Sequence, residues 1–385
     1  MITKLTFLST KLNVLFLCGW YPSKVLPNNG DFIQRHAEAV SLIHKVTVIH
    51  IITDKKTKKN IDYTSEKVNG IETHIAYIKY SNNPLKKIFF FIRAFKVLSL
   101  KFKSIDIVHL NEIFPFGIFS LYLKWFKKKP YIISEHFTGY HYPQSKYITF
   151  FQKIISLIIT RNASFVCPVS NDLKKSMQKL GLKGKYHRVP NVVDTKVFIP
   201  THKTATIFTI THISNMVNNH KNIEGIIRFI KKLESKIGDF KFKFIGKDAE
   251  MYIPFAKKLG VSLEKTIFID HVPHKEIANN LKESNLFVLF SNYENLPCVI
   301  LEAFSCGVPV ISTNVGGINE YFPEDFGFLI DAKDEDALLY KTIEVYSNFK
   351  TDKEKMHQYV ENNFSTITIA NQFSELYNSA LNESL

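Results

Sequence analysis

Short apolar runs alternate with longer amphipathic stretches along the whole chain. In the first half the apolar runs predict buried strands at residues 14–17, 46–52, 71–78, 105–110, 131–134 and 164–169. Helical periodicity between these runs predicts helices at residues 32–42, 85–103, 117–127 and 146–160. In the second half the predicted strands are at residues 205–212, 240–245, 267–269, 286–290 and 308–312, with a helix at 222–233. This alternation is typical of parallel sheets that are covered by helices on both faces.

The chain is long enough for two domains of this kind, at 385 residues. The alternation lapses around residues 190–204, which we interpret as a hinge. We therefore predict an N-terminal Rossmann-like domain at 1–198 and a second Rossmann-like domain at 199–365. Residues 366–385 are predicted to form a C-terminal helix that packs back on the first domain. Ligands of such doubly wound sheets bind beyond the carboxyl ends of the strands, here in a predicted inter-domain cleft.

Hydrophobic residues make up 45% of the chain and charged residues 22%, which is typical of a globular protein. The longest apolar runs, such as residues 12–18 and 154–159, are far shorter than the roughly 20 residues that span a bilayer. Residues 1–10 do not resemble a cleavable signal. The cysteines (Cys18, Cys167, Cys298 and Cys306) form no C-x-x-C pair, which favours free thiols in a reducing compartment. We expect a cytoplasmic protein.

The net charge of +15 is concentrated in the first half of the chain. Residues 1–200 contain 31 Lys and Arg against 11 Asp and Glu, whereas residues 201–385 contain 19 against 24. A general bias toward lysine would raise the lysine content of both halves. The first half is therefore expected to bind an anionic partner. We predict no nucleic-acid partner, because no nucleic-acid-binding motif is present and the basic residues lie on helices between strands.

The predicted helix at 85–103 is a candidate for contact with that partner. Its apolar stripe comprises Leu85, Ile88, Phe89, Ile92, Phe95 and Leu98, and its basic stripe comprises Lys86, Arg93, Lys96 and Lys103. Phe90 and Phe91 are also apolar but lie outside this stripe, so a single core-facing stripe does not account for them. Two interpretations stay open: a surface helix packed on the sheet, or a patch that binds anionic lipid near a lipid-linked acceptor.

The segment at 291–312 carries the most specific chemistry. Pro297 suits the first turn of a helix and Gly307 its end, so a helix is predicted at 297–306. Glu294 then lies in the loop before this helix and Glu302 lies within it. A helix N-terminus binds a diphosphate, and a carboxylate accepts two hydrogen bonds from a vicinal diol. Either glutamate could instead be an ordinary surface charge, but the apolar neighbours of Glu302 make that costly.

This segment resembles the E-x7-E signature of family 4 glycosyltransferases, which have the GT-B fold. The resemblance extends over nearly the whole chain, through residues 20–23, 30–32, 106–109, 134–136, 189–198 and 314–320. It implies a retaining transferase that uses a nucleotide-sugar.

The resemblance also implies roles for particular residues. It assigns Glu302 to the donor ribose and Glu294 to the donor hexose, with the backbone at Asn295 and Leu296 supporting the same sugar. Lys221, at the start of a helix in the second half, corresponds to a cation that clamps the pyrophosphate.

A second cation, which is an arginine in many members, is missing. Asn215 stands at the aligned position and can donate only a neutral hydrogen bond. Lys247, which follows the strand ending at Gly246, is a possible substitute.

In the first half, the resemblance places His136 near the transferred sugar, where it would orient a hydroxyl or stabilise developing charge. His109, one strand earlier, is a possible neighbour. Gly30 and Asp31 open a helix, so their backbone could approach a phosphate or the acceptor.

No credible metal site is found. The triplet of residues 334–336 has the Asp-x-Asp pattern but precedes an apolar run, which favours a helix cap. We therefore predict metal-independent transfer of a hexose to a polysaccharide, capsule or lipid-linked acceptor, with no cofactor besides the nucleotide-sugar. Retention is what the family resemblance implies. Two alternatives stay open: a nucleotide-sugar epimerase of the same fold, and a non-catalytic scaffold at a membrane.

Overall fold

The computed structural model describes residues 11–102, 104–201 and 207–383. The chain divides into two compact units. The first unit comprises the residues up to Val169, together with Lys174–Val189 and the residues from Ile369 onward. The second unit comprises Ser170–Leu173 and Pro190–Thr368.

The elements alternate between strand and helix in both units. In chain order, the first part of the chain forms β1 (Asn13–Cys18), α1 (Asp31–Ser41), β2 (Lys45–Asp54), β3 (Ile61–Val68), β4 (Ile71–Lys79), α2 (Pro84–Leu98), β5 (Ile107–Asn111), α3 (Gly117–Lys127), β6 (Tyr131–Glu135), α4 (Phe150–Asn162), β7 (Phe165–Pro168) and α5 (Asn171–Lys179). The remainder forms β8 (Phe208–Ile213), α6 (Asn218–Lys221), α7 (Ile223–Leu233), β9 (Phe240–Ile245), α8 (Ile253–Lys258), β10 (Thr266–Ile269), α9 (His274–Lys282), β11 (Leu286–Leu289), α10 (Cys298–Ser305), β12 (Val310–Thr313), β13 (Gly327–Ile330), α11 (Glu335–Asn348), α12 (Lys353–Phe364) and α13 (Thr366–Asn382).

Each unit is built on one sheet. Among the described residues, the first sheet has the order β3-β4-β2-β1-β5-β6-β7 and the second has the order β10-β9-β8-β11-β12-β13. All paired strands run parallel except β3, which is antiparallel to β4. The strand order reverses direction at β1 and at β8, as expected for doubly wound sheets. The carboxyl ends of β8 and β9 lie side by side, with Ile213 opposite Ile245.

Strand β3 was not predicted, although the sequence contains a signal for it. Val68 and Ile71 are paired across the two-residue turn Asn69-Gly70, and both turn residues have positive φ, at 50° and 83°. Asn-Gly is the preferred sequence for such a hairpin turn. The strand itself is half-exposed at the sheet edge, so its polar residues do not show the apolar run by which the other strands were found.

The segment after Val189 does not have the structure of a polar hinge. Val192, Val193 and Phe198 are at most 2% exposed, and Val193 N donates to Phe364 O within the second unit. The main segment of the second unit therefore starts at Pro190, whereas the predicted boundary is at 199. The later part of the predicted hinge falls partly outside the described residues.

Helix α13 joins the first unit from Ile369 onward. Ser374 Oγ shares a hydrogen bond of 2.9 Å with His44 Nε2, and Phe373 packs edge-on against His36. The helix therefore completes the core of the first unit, although it lies about 180 residues beyond the rest of that unit.

Candidate active site

Lys221 and Glu294 are brought together in the second unit. Lys221 ends the short helix α6 after β8, and Glu294 lies in the loop after the neighbouring strand β11. The two side chains form an ion pair, in which Lys221 is 16% and Glu294 is 9% exposed. Ser291 Oγ donates a further hydrogen bond of 2.7 Å to Oε1 of Glu294. A cation and a carboxylate are thus held together at the carboxyl edge of the sheet.

Two consecutive glycines pack against the loop that carries Glu294. A Cβ atom on Gly316 would lie 2.0 Å from the carbonyl oxygen of Glu294, and Gly316 also has a φ of 62°. Gly317 N donates to the carbonyl oxygen of Asn295 at 2.9 Å. Only glycine fits such a close approach of two backbones. Gly316 is therefore required for this contact, and the backbone of Gly317 adds a hydrogen bond that helps to hold the Glu294 loop in place.

Glu302 is paired with a residue that the sequence did not single out. Its side chain lies within α10 and is 2% exposed, and its Oε1 accepts a hydrogen bond of 3.0 Å from Nε2 of His274. His274 is the first residue of α9 and is 39% exposed, and its ring packs edge-on against Phe198. A buried carboxylate requires such a partner. No local signal identifies His274, because the contact joins side chains 28 residues apart.

Helix α10 begins at Cys298, directly after Pro297, and ends at Ser305, so it is slightly shorter than predicted. Pro297, the N-cap residue, makes no side-chain capping hydrogen bond to the helix. Just before the helix, the carbonyl oxygen of Leu296 accepts a hydrogen bond of 2.7 Å from Nδ2 of Asn191. The first turn is therefore firmly positioned, and its N–H groups are those that favour an anion.

The other predicted donor-binding residues lie at the ends of β8 and β9. Asn215 is exposed, and its Oδ1 accepts from the backbone N of Val217 at 3.4 Å. Lys247 is also exposed. Gly246 has a steric role, because a Cβ atom at this position would lie 1.9 Å from the carbonyl oxygen of Ser214. The glycine lets the two loops touch, whereas a side chain would separate them.

His136 follows β6 in the first unit and is buried. The centroid of its ring lies 4.5 Å from that of Phe32 and 5.3 Å from that of His36. The preceding residue, Glu135, holds this loop. Its Oε1 accepts from the backbone N of both His136 and Phe137, at 3.0 Å each. The position of the His136 ring is therefore set by a buried carboxylate, which the sequence analysis did not recognise as a positioning group.

Glu112, at the end of the neighbouring strand β5, is also buried, and it faces Glu135. Burial raises the pKa of Glu112 well above its usual value, and the nearby carboxylate of Glu135 raises it further. Glu112 has a φ of 68°, which is unusual for a residue with a side chain. The two carboxyl groups lie next to each other behind the His136 loop.

Gly30 and Asp31 lie at the start of α1. Gly30 has a φ of 77°, and a Cβ atom there would lie 2.6 Å from the backbone of Trp20. The Asp31 carboxylate forms an ion pair with Arg35 at 2.7 Å and is 51% exposed. Gly30 thus allows the helix to begin against the loop after β1, and the charge of Asp31 is already balanced by Arg35.

His109 is a structural residue rather than a neighbour of His136 in the site. It is fully buried within β5, and burial lowers its pKa well below the usual value. Its Nδ1 shares a hydrogen bond of 2.6 Å with Tyr377 Oη, and its Nε2 shares one of 2.7 Å with Ser134 Oγ. The Nδ1 contact attaches α13 to the sheet, and the Nε2 contact joins β5 to the neighbouring strand β6.

Two family models cover most of the chain. The model of group 1 glycosyl transferases matches residues 193–365, and the model of Glycosyltransferase Family 4 matches residues 36–197. The chain belongs to the group 1, family 4 glycosyltransferases. Together the two models match residues in both units of this glycosyltransferase, and the predicted family is confirmed.

The glycosyltransferase is similar along most of its length to the putative teichuronic acid biosynthesis glycosyltransferase TuaC of Bacillus subtilis. The two are 23% identical over 85% of this chain and 87% of TuaC. A phosphatidylinositol N-acetylglucosaminyltransferase polypeptide from Arabidopsis thaliana is 25% identical over 60% of this chain. The chain spans about half the length of that relative, at 52%.

Solved structures confirm the predicted GT-B fold. Sucrose-phosphate synthase from Thermosynechococcus elongatus superposes with a TM-score of 0.78 at 18% identity, covering 97% of this chain and all of the synthase chain. Anabaena HepE in complex with UDP-glucose superposes with a TM-score of 0.72 at 15% identity, covering 96% of this chain and all of HepE. At these identities the superpositions establish the fold alone.

The acidic triplet of the glycosyltransferase caps a helix, as predicted. Oδ1 of Asp334 accepts from the backbone N of Ala337 at 2.8 Å at the start of α11. The other two side chains, Glu335 and Asp336, form ion pairs with basic residues of α7. Among the described residues, no three His, Cys, Asp or Glu side chains are grouped so that they could hold a metal ion.

The apolar stripe predicted for α2 of the glycosyltransferase is only partly buried. Phe90 and Phe95 are buried, together with Leu98, whereas the first four members of the predicted apolar stripe are exposed (Leu85, Ile88, Phe89 and Ile92). The predicted basic residues Lys86, Arg93 and Lys96 are exposed as well, and Lys103 lies outside the described residues. The described part of the chain contains no helix with the length and apolarity needed to cross a bilayer.

Proposed function

We propose that this glycosyltransferase moves a hexose or N-acetylhexosamine from a nucleoside-diphosphate sugar to a glycan or lipid-linked acceptor, with retention and without a metal ion. The Lys221–Glu294 ion pair beside the N-terminus of α10 is the observation that carries this proposal. The names of two relatives support the substrate class, since one includes N-acetylglucosaminyl transfer and the other teichuronic acid biosynthesis.

Loss of a nucleoside diphosphate places negative charge on the β-phosphate. In the proposed complex the diphosphate lies at the first turn of α10, and Lys221 turns from Glu294 toward the β-phosphate. Glu294 then accepts a hydrogen bond from a hydroxyl of the donor hexose. In the donor-free enzyme Lys221 and Glu294 thus neutralise each other. When the donor binds, each side chain takes a group of the donor as its new partner, so neither charge is left buried alone.

Glu302 is assigned to the ribose hydroxyls. A carboxylate has acceptor capacity for more than one donor, so Glu302 can keep its hydrogen bond from His274 while it accepts from the ribose. His274 orients the carboxylate and compensates for its burial. This arrangement makes His274 a positioning residue of the donor site.

Retention requires the acceptor to arrive on the face from which the diphosphate leaves. The acceptor oxygen bonds to the anomeric carbon while the bond from that carbon to the phosphate oxygen breaks. The acceptor proton passes to the departing phosphate oxygen, which therefore serves as the base. No protein nucleophile is needed on this route. His136 is proposed to orient a hydroxyl of the transferred sugar.

A thermal-shift panel of UDP, GDP and ADP tests the donor site directly. A ligand at a hundred times its Kd stabilises the folded state by about 2.7 kcal/mol. For a domain the size of the second unit this corresponds to roughly 5–10 °C. Lys221→Ala should abolish the shift, whereas Lys231→Ala, an exposed lysine on α7, should leave it unchanged. The donor site is misassigned if the shift survives in Lys221→Ala.

Metal independence is tested by turnover in EDTA. We expect the rate of sugar transfer to stay within about twofold of the untreated rate, because Lys221 and backbone N–H groups neutralise the leaving group. Loss of turnover that Mg²⁺ restores would contradict this account. Incubation of the nucleotide-sugar without an acceptor separates transfer from epimerisation, since an epimerase would convert the donor alone.

A further inference from the structure

Helices α2, α3 and α4 form one layer on the first sheet. They connect strands that succeed one another in the same direction across that sheet, and right-handed crossovers place such helices on the same face. The rings of Phe95 on α2 and Phe119 on α3 are stacked with centroids 3.8 Å apart. Gly117 of α3 packs directly against the side chain of Ile159 on α4, because a Cβ atom on Gly117 would lie only 2.4 Å from Cδ1 of Ile159. The outer sides of the three helices therefore make a continuous surface.

This surface is unusually apolar. Each helix exposes four large hydrophobic side chains: Leu85, Ile88, Phe89 and Ile92 on α2; Ile118, Tyr122, Trp125 and Phe126 on α3; Phe150, Phe151, Ile154 and Ile158 on α4. Helix α1 connects strands that succeed one another in the opposite direction, so it lies on the other face of the sheet. It exposes no large hydrophobic residue within its bounds. Contiguous exposed apolar surface of this extent marks an interaction site.

The same surface is basic and contains no acidic residue. The three helices carry eight basic side chains, which are Lys86, Lys87, Arg93, Lys96, Lys124, Lys127, Lys153 and Arg161. None of their residues is Asp or Glu. A symmetric dimer that pairs two copies of this surface is therefore excluded, because the two basic faces would repel each other. An anionic partner with an apolar interior is complementary to both features.

A groove of about 630 Å³ runs between α2 and α3. Its walls are mainly apolar and include Ile88, Phe91, Phe95, Ile118, Phe119 and Tyr122. Lys87 and Lys96 also line it. An apolar groove with lysine ammonium groups beside it matches a hydrocarbon chain that is attached to an anionic headgroup.

We propose that the outer face of α2, α3 and α4 docks on an anionic lipid bilayer and that the groove between α2 and α3 takes a hydrocarbon chain of a bilayer lipid. The aromatic and aliphatic side chains enter the interface between headgroups and acyl chains, while the lysines contact lipid phosphates. This inference extends the proposed function by naming the surface at which transfer takes place. Vesicle binding requires no donor, so its failure would leave the donor-site assignment untouched.

Flotation with vesicles tests the docking face. We expect at least tenfold greater recovery with vesicles of phosphatidylcholine and phosphatidylglycerol than with phosphatidylcholine alone. The variant Phe89→Ser/Phe126→Ser/Phe151→Ser, with one exposed change on each helix, should lose that binding at least tenfold. The matched variant Leu263→Ser/Tyr340→Ser/Ile367→Ser changes exposed residues of the second unit and should bind normally. Equal recovery with both vesicle types, or normal binding by the first variant, would overturn the docking face.

Tryptophan quenching tests the groove. The chain has two tryptophans, so Trp20→Phe/Trp125→Phe provides a background in which Tyr122→Trp reports from the groove wall. Phosphatidylglycerol brominated deep in its acyl chains should quench this tryptophan by at least half. Tyr340→Trp, placed on α11 in the same background, should be unaffected. Quenching only by lipids brominated close to the headgroup would overturn the assignment of the groove to a hydrocarbon chain.

Discussion

The ion pair of Lys221 and Glu294 predicts strong energetic coupling between the two side chains in the donor-free enzyme. In Lys221→Met the Glu294 carboxylate, which is 9% exposed, loses its cation and keeps the hydrogen bond from Ser291. Removal of one partner from a buried pair costs about 3–5 kcal/mol. Because Ser291 remains, we expect a loss of about 2–4 kcal/mol in the free energy of unfolding. Glu294→Gln should cost less, about 1–2 kcal/mol, because the longer Lys221 side chain can reach water.

The double variant Lys221→Met/Glu294→Gln removes both charges and leaves neither one buried alone. We expect it to be destabilised by only about 1–3 kcal/mol, so the double-mutant cycle should give a coupling of about 2–3 kcal/mol. The cycle is measured by urea unfolding of the four full-length proteins, followed by circular dichroism. Additivity of the two single changes within about 0.5 kcal/mol would refute the ion pair in solution.

The same double variant separates stability from function. Its stability should exceed that of Lys221→Met, but its turnover should stay at the level of that single variant, because the proposed role of Lys221 in the reaction is to neutralise the leaving phosphate. Lys231→Met, a change at an exposed lysine, is the control, and addition of the nucleotide should stabilise it as much as the parent. Recovery of turnover in the double variant would contradict the exchange of partners that we propose for Lys221.

Two further predictions concern residues that the sequence did not identify. His274→Ala should weaken nucleotide binding about 10- to 100-fold by calorimetry, because the Glu302 carboxylate loses the hydrogen bond from His274, and a hydrogen bond to a charged group contributes about 1.5–3 kcal/mol. The exposed neighbour His271 provides the control, and equal effects of His271→Ala and His274→Ala would contradict the assignment. Glu112→Gln should flatten the pH dependence of thermal unfolding. Because the folded chain holds the Glu112 proton more tightly than the unfolded chain does, the stability contributed by this group is complete below pH about 4.5 and declines as the pH rises toward the folded pKa. Identical pH profiles for the parent and the variant would show that the proton is not held.

Much of the fold follows from short-range patterns in the sequence. Buried strands are apolar on both faces, so runs such as β2 and β6 can be recognised without any tertiary information. The helix after Glu294 was likewise recognisable, because proline and glycine act on the backbone at their own positions. Strand β3 could have been added from its Asn-Gly turn. These features depend on residues that are close together in the chain, and the family signature itself lies within one such segment.

The partners of the recognised residues were decided only by tertiary structure. Glu294 and Glu302 stood out in the sequence, but their contacts with Lys221 and His274 join side chains 73 and 28 residues apart. No periodicity encodes which ring or ammonium group a carboxylate will meet, because that depends on how strands order themselves within a sheet. The sequence left the orientation of α2 open for a related reason. The helix is apolar on more than one side, and only its packing against the sheet and α3 decides which apolar side is buried and which is left for a partner.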